Sequence, residues 1–170
     1  ALARIASGAR LRAALLVTRA TPLRGSGDVA GGSAPGQVRV VADHLNVSGG
    51  SLFPAPGMVS AGWDATLTER LGSLRGVSGS SVVALMPGPL RPSPAESRAL
   101  VSLGADAAVT DSVAEAMVLA SRGVAVSALT YLDAPAAGGN LGRAQLSLRQ
   151  ASGVTLAAVE EILRSLRAGS

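Results

Sequence analysis

Short apolar runs bounded by turn residues alternate with stretches of helical periodicity along this sequence, and that alternation is what most constrains its fold. It is typical of α/β proteins, in which amphipathic helices pack against a sheet. Strands are predicted at residues 13–18, 37–44, 81–86, 107–110 and 124–132. Helices are predicted before residue 13 and at residues 61–74, 93–103, 112–123 and 154–167. The segment 21–36, rich in Gly, Ser and Pro, is predicted to be a loop.

Two helix starts carry the S-x-x-E pattern of a capping box. In the first, Ser93 is the predicted cap, Pro94 occupies the first helical position and Glu96 closes the box. In the second, Ser112 and Glu115 have the same spacing. Both boxes predict that a helix begins directly after the serine.

Two helices have predicted core faces. One face of residues 61–74 is formed by leucines at helical spacing, namely Leu67, Leu71 and Leu74. For the closing helix the candidate core positions are Ala157, Val159, Ile162 and Leu166. No internal repeat and no domain boundary interrupts the pattern, so residues 1–170 are predicted to form a single domain.

The composition excludes several classes of protein. Hydrophobic residues make up 48% of the chain, which argues against disorder, and the absence of cysteine excludes a disulfide framework. No apolar run reaches the roughly 18 residues of a membrane span, so we expect a soluble cytoplasmic protein with no membrane partner. The net charge of +4 comes from scattered arginines without a basic run or interleaved aromatic residues. Nucleic acid is therefore not an expected partner.

Metal ions and nucleotide cofactors are not expected either. His44 is the only histidine and has no cysteine or cluster of carboxylates near it in the sequence, so we interpret it as a structural residue beside Asp43 and Asn46. The glycines of residues 25–36 lack the spacing of a phosphate-binding P-loop.

Two blocks of sequence resemble one enzyme family. Residues 35–49 read PGQVRVVADHLNVSG, similar to a segment with PGD, DHIN and LTG in the trimeric-type purine nucleoside phosphorylases. In the second block, the family pattern reads GPS-E-TPAE, then LGADAVGMSTVPE, then AAG. This chain has, in the same order, PGP at residues 87–89, LGADA at 103–107, SVAE at 112–115 and AAG at 136–138. Upstream, residues 15–20 stand at the family's strand and TNAAGG turn.

The resemblance implies a fold and an assembly. It implies a mixed α/β sheet, distorted toward a barrel and flanked by helices, in a phosphorylase/hydrolase-like fold that here lacks the family's N-terminal third. It also implies a homo- or hetero-oligomer of the trimer type, possible partners including a complete paralogue. Phosphate would be a co-substrate only if the chain were active, since the family's reaction is phosphorolysis of purine nucleosides.

The same resemblance implies that the base and ribose pocket is degenerate. The family's base-binding Glu falls at Pro92, the aromatic residue before it at Arg91, and the base-binding Asn at Ala134. The Met-Ser pair that supports ribose and phosphate falls at Thr110 and Asp111.

Four further positions complete the comparison. The Asn of the TNAAGG turn is Arg19, followed by Ala20. Relatives that prefer 6-aminopurines carry an Asp near Asp133, so a one-residue offset would let Asp133 bind the base. The family's aromatic residue that reaches a neighbouring subunit has only Phe53 as a substitute.

Three functions follow from these observations. The first is a non-catalytic phosphorylase-like protein that acts as a structural or regulatory subunit. The second is an active purine nucleoside phosphorylase, a glycosyltransferase, whose phosphate-binding N-terminal part comes from another chain. The third is a remodelled pocket, lined by Arg91, Asp111, Asp133 and Tyr131, that binds a small polar ligand without turnover.

Overall fold

The computed structural model describes residues 10–23, 35–48, 62–87, 91–133 and 141–168, and for 141–148 only the backbone is described. Five strands and four helices occur in these ranges: β1 Ala13–Pro22, β2 Val38–Asn46, α1 Ala65–Gly72, β3 Val77–Leu85, α2 Pro94–Ser102, β4 Ala107–Val109, α3 Val113–Ala120, β5 Ala125–Leu132 and α4 Leu141–Ala168. The predicted α/β order is confirmed. The helix predicted before residue 13 falls mostly outside the described residues, and residues 10–12 are not helical.

The five strands close into a mixed barrel in the order β1-β4-β3-β2-β5. β1 runs parallel to β5, and β2, β3 and β4 run parallel to one another. The two groups meet through the antiparallel pairs β2–β5 and β1–β4. The predicted barrel-like mixed sheet is therefore confirmed.

Side chains alternate between two faces of the strands, as the pleat of a sheet requires. On one face, residues from all five strands form a cluster with Trp63 and with Val113, Ala116 and Leu119 of α3. On the other, α1 and α4 cover β1, β2 and β5, while α2 covers β3 and β4. The small aliphatic side chains of the sheet allow helices to pack closely on both faces.

The capping box at α2 is confirmed. The Ser93 side chain accepts a hydrogen bond from the backbone N–H of Glu96, and the Glu96 carboxylate accepts one from the backbone N–H of Ser93. These hydrogen bonds to the charged form lower the pKa of Glu96 below its ordinary value. The helix therefore begins where the sequence indicates.

The capping box predicted at α3 is wrong. Ser112 lies in the left-handed region with φ of 70° and makes no capping hydrogen bond. Its hydroxyl instead donates to Oδ1 of Asp111 at 3.1 Å. Because the Ser112 hydroxyl bonds to Asp111, it does not form a capping box with Glu115. Oε2 of Glu115 is buried without a hydrogen-bond partner among the described residues.

Two other sequence predictions need correction. The loop predicted at 21–36 begins too early, because Thr21 and Pro22 extend β1 and pair with Ala108 and Ala107 of β4.

For the closing helix, α4 begins earlier than predicted, and Val159 is 41% exposed rather than buried. The buried α4 positions are Val154, Ala158 and Ile162. On α1, the buried positions Leu67 and Leu71 were predicted correctly.

Candidate functional site

One cavity of about 330 Å³ lies where the ends of several strands converge. It is lined by the end of β1, the residue that follows β3, most of β4 with Thr110, the residue that follows β5, and the segment that leads into α2. The lining residues are Arg19, Ala20, Thr21, Met86, Arg91, Ala108, Val109, Thr110 and Asp133. The structure therefore brings together four of the predicted pocket positions, namely Ala20, Arg91, Thr110 and Asp133.

The other predicted positions do not line this cavity. Pro92 is half-buried in the segment before α2, and Asp111 is exposed one residue beyond Thr110. Tyr131 does not line the cavity either, and it packs with Val38, Leu129 and residues of α4. Ala134 and Phe53 lie outside the described residues.

An ion pair between Arg19 and Asp133 is the main feature of the cavity that sequence reasoning missed. Nε and Nη2 of Arg19 both donate to Oδ1 of Asp133, at 3.2 and 2.7 Å. The hydrogen bonds and charge of Asp133 raise the pKa of Arg19 above its ordinary value. Arg19 is 76% exposed and Asp133 is 19% exposed, so the carboxylate is the more enclosed partner.

The register of β1 and β5 explains why these two residues meet. Arg19 lies opposite Tyr131, and Ala20 opposite Leu132, along a continuous parallel ladder. The backbone N–H of Asp133 then donates to the carbonyl of Ala20 at 2.8 Å, which holds the residue after β5 beside the end of β1. The contact joins residues 114 positions apart, and no local sequence signal could have indicated it.

Asp111 is held by two hydroxyl groups. Oδ1 of Asp111 accepts hydrogen bonds from Thr18 Oγ1 and from Ser112 Oγ. Thr18 is almost completely buried on β1, so the carboxylate is fixed to the barrel even though it is itself exposed. A fixed negative charge at this point repels an anion, by about 4 kcal/mol for two charges ~4 Å apart at an effective dielectric constant near 20.

His44 lies in a second polar group, away from the cavity. The Trp63 indole N–H donates to Nδ1 of His44 at 3.2 Å, and the two rings meet edge to face with centroids 6.1 Å apart. Since Nδ1 accepts this bond, the neutral imidazole carries its proton on Nε2. Burial lowers the pKa of His44, and the nearby Asp43 carboxylate opposes this shift.

We expect the lowered pKa of His44 to make the folded protein less stable in mild acid. The unfolded imidazole, with a pKa near 6.5, binds a proton before the folded one does. The contribution of neutral His44 is thus complete above about pH 6.5 and is lost as the pH falls toward the lower folded pKa, by at most about 1.4 kcal/mol per pH unit. Urea unfolding between about pH 5 and 8, followed by the fluorescence of Trp63, measures it.

The matched control is His44→Gln, which can accept the same hydrogen bond from Trp63 without titrating. The difference in unfolding free energy between the wild type and this variant should shrink as the pH falls below about 6.5. A difference that is constant across this pH range contradicts the assignment of a neutral histidine.

No metal centre or membrane span emerges from the described part of the chain. Within those ranges, no three His, Asp or Glu side chains come together as metal ligands would. None of the described helices is both long enough and apolar enough to cross a membrane.

Comparison with solved structures shows the fold. A Schistosoma purine nucleoside phosphorylase in complex with hypoxanthine superposes with a TM-score of 0.70 over 95% of this chain, at 17% sequence identity. The same enzyme in complex with guanosine gives the same values, and Schistosoma mansoni purine nucleoside phosphorylase in a complex with BCX-34 gives a TM-score of 0.62 at 19% identity over 90% of this chain. No known sequence family and no curated protein matches the chain.

The likeness covers only part of those enzymes. This chain spans 64%, 65% and 62% of the length of the three structures, respectively. It therefore has the fold of a purine nucleoside phosphorylase over about two-thirds of that fold, and the identity is too low to carry the activity with it.

Proposed function

We propose that this chain is a non-catalytic protein of the phosphorylase fold, acting as a structural or regulatory subunit of a larger assembly. The observation that carries the proposal is the hydrogen bonding of Asp133 to Arg19 inside the cavity. Asp133 is the one acidic side chain among the described lining residues, and its Oδ1 already accepts two hydrogen bonds from Arg19.

A purine would have to compete with that pair. An ion pair with one exposed partner contributes up to about 1 kcal/mol, and Arg19 is 76% exposed. The more enclosed Asp133 carboxylate is the charge that a ligand would have to satisfy again. The position of the family's base-binding Glu offers no hydrogen bond to a purine, since Pro92 has neither a polar side chain nor an N–H. The cavity thus favours its own ion pair over a purine.

The position of Asp111 argues against phosphorolysis. Phosphate must attack the anomeric carbon as a bound anion, and the resemblance places Asp111 where a family serine supports it. A carboxylate held there by Thr18 and Ser112 repels the nucleophile that the reaction needs.

Exposed apolar side chains support a role in an assembly. Leu156, Val159 and Leu163 of α4 are 66%, 41% and 49% exposed, and their i, i+3, i+7 spacing places them on one side of the helix. Such a stripe is typical of a surface that another protein covers. A homo- or hetero-oligomer is the proposed state.

Binding of hypoxanthine and guanosine, measured by calorimetry, tests the loss of the purine pocket. We expect no saturable binding of either compound up to about 1 mM, the upper end of the usual range of enzyme KM values. Arg19→Asn restores the family's residue and frees Asp133, so a gain of binding in that variant alone would support the blocking role of the ion pair. Saturable binding to the wild-type chain would contradict the proposal.

A composite phosphorylase, completed by a second chain, is the other candidate. It is favoured by the edge of β1, because residues Ala13 to Ala20 pair with β5 and with no other described strand. A free strand edge accepts a further strand through its backbone N–H and C=O groups. Restored phosphorolysis on mixing with a chain that supplies phosphate ligands would favour this candidate.

A further inference from the structure

We propose that the cavity at the strand ends binds a small organic carboxylate, with Arg91 as its recognition residue. The cavity volume of about 330 Å³ is near the lower end of the range of about 300–1,000 Å³ for ligand pockets. This inference goes beyond the proposed subunit role, since a non-catalytic protein can still bind a ligand in a remodelled pocket.

The charge balance of the lining indicates an anion. Arg19 and Asp133 neutralise each other through their ion pair. Arg91 lines the same cavity and makes no ion pair or hydrogen bond within the part of the chain that is described. Among the described lining residues, Arg91 is thus the charged group left for a ligand, which favours a ligand with one negative charge.

The chemistry of Arg91 and of the other lining residues indicates which chemical group of the ligand carries the negative charge. A guanidinium group presents parallel N–H donors that match the two oxygens of a carboxylate. Met86, Ala108 and Val109 provide apolar surface beside it, and Thr110 adds a hydroxyl group at the rim. A phosphate ester carries closer to two charges at neutral pH, and the Asp111 carboxylate one residue beyond Thr110 repels two charges more strongly than one. A carboxylate on a small apolar body therefore fits best.

Three probe compounds separate the parts of this recognition. Benzoate combines the carboxylate with an apolar body, benzamide keeps the body without the charge, and acetate keeps the charge with almost no body. In a titration followed by two-dimensional NMR, we expect benzoate to saturate with a Kd of about 1 mM or below, with shifts at the backbone amides of β4. Acetate should bind at least about tenfold more weakly, and benzamide should not saturate.

Variants assign the binding to Arg91. Arg91→Gln should weaken benzoate binding by about tenfold or more, which corresponds to the loss of one charged hydrogen-bonded contact. Arg98→Gln is the matched control, because Arg98 is exposed seven residues further along on α2 and does not line the cavity. It should leave the affinity unchanged.

Asp133→Asn tests the charge balance in the opposite direction. The substitution leaves Arg19 without its counter-charge, so benzoate should bind more tightly than to the wild type. Because the predicted changes run in opposite directions, a general loss of folding cannot reproduce both.

Several results would overturn the proposal. They are the absence of saturable benzoate binding, equal binding of benzamide, an unchanged affinity in Arg91→Gln, or inorganic phosphate binding as tightly as benzoate. The neutral purines used to test the proposed function are separate probes, so either proposal can fail without the other.

Discussion

Gly76→Ala is expected to lower the free energy of unfolding by roughly 2–4 kcal/mol, through two separate effects. Gly76 occupies the turn between α1 and β3 with φ of 94°, a conformation that costs an L-residue about 1–2 kcal/mol. An added Cβ would also lie 2.7 Å from Cγ2 of Val154, closer than two carbon atoms can approach. Val154 is buried on α4 and its β-branched side chain has little freedom to move away.

Gly104→Ala is a matched control that isolates the steric effect. Gly104 has a nearly identical φ of 92°, but no atom lies within 4 Å of its added Cβ. It should lose only about 1–2 kcal/mol, the cost of the backbone conformation. Urea unfolding of both variants measures the difference.

A double-mutant cycle with Val154→Ala then locates the clash. Since Val154→Ala removes the methyl group that the new Cβ would meet, the combined loss in Gly76→Ala/Val154→Ala should be smaller than the sum of the single losses. Equal losses for Gly76→Ala and Gly104→Ala, or strict additivity in the cycle, would contradict this packing of the turn against α4.

The order of strands and helices could be predicted because it depends on local patterns. The capping box at Ser93 is one example: serine, proline and glutamate at fixed spacing make the same local bonds in the folded chain. The leucines of α1 are another, because helical spacing alone places Leu67 and Leu71 on one face.

The errors arose where a distant contact decided the outcome. At Ser112 the local pattern matches a capping box, but Ser112 has a φ of 70° and its hydroxyl donates to Asp111, which also accepts a hydrogen bond from Thr18 of β1. On α4, sequence periodicity does not distinguish the apolar face that packs on the barrel from a second apolar stripe that remains exposed. Val159 was therefore assigned to the wrong face.

The candidate site could be predicted only in part for the same reason. Of the positions that the resemblance indicated, four lie together in the cavity lining, whereas Pro92 and Asp111 lie outside it. The resemblance did not identify the partner of Asp133, because the pairing with Arg19 depends on the register between two strands more than a hundred residues apart. The neutralisation of Asp133 by Arg19 can therefore be inferred only once that register is known.

An assay of phosphorolysis tests the central claim, that the fold is retained without the reaction, most directly. The chain should be isolated on its own, free of any chain that co-purifies with it, and release of hypoxanthine from inosine with phosphate should be followed. We expect a rate indistinguishable from that without protein, whereas enzymes typically turn over at about 1–1,000 per second. Release of hypoxanthine by this chain that saturates with inosine and requires phosphate would contradict the claim. Release that appears only after a co-purified chain with no activity of its own is added back would establish a composite enzyme instead.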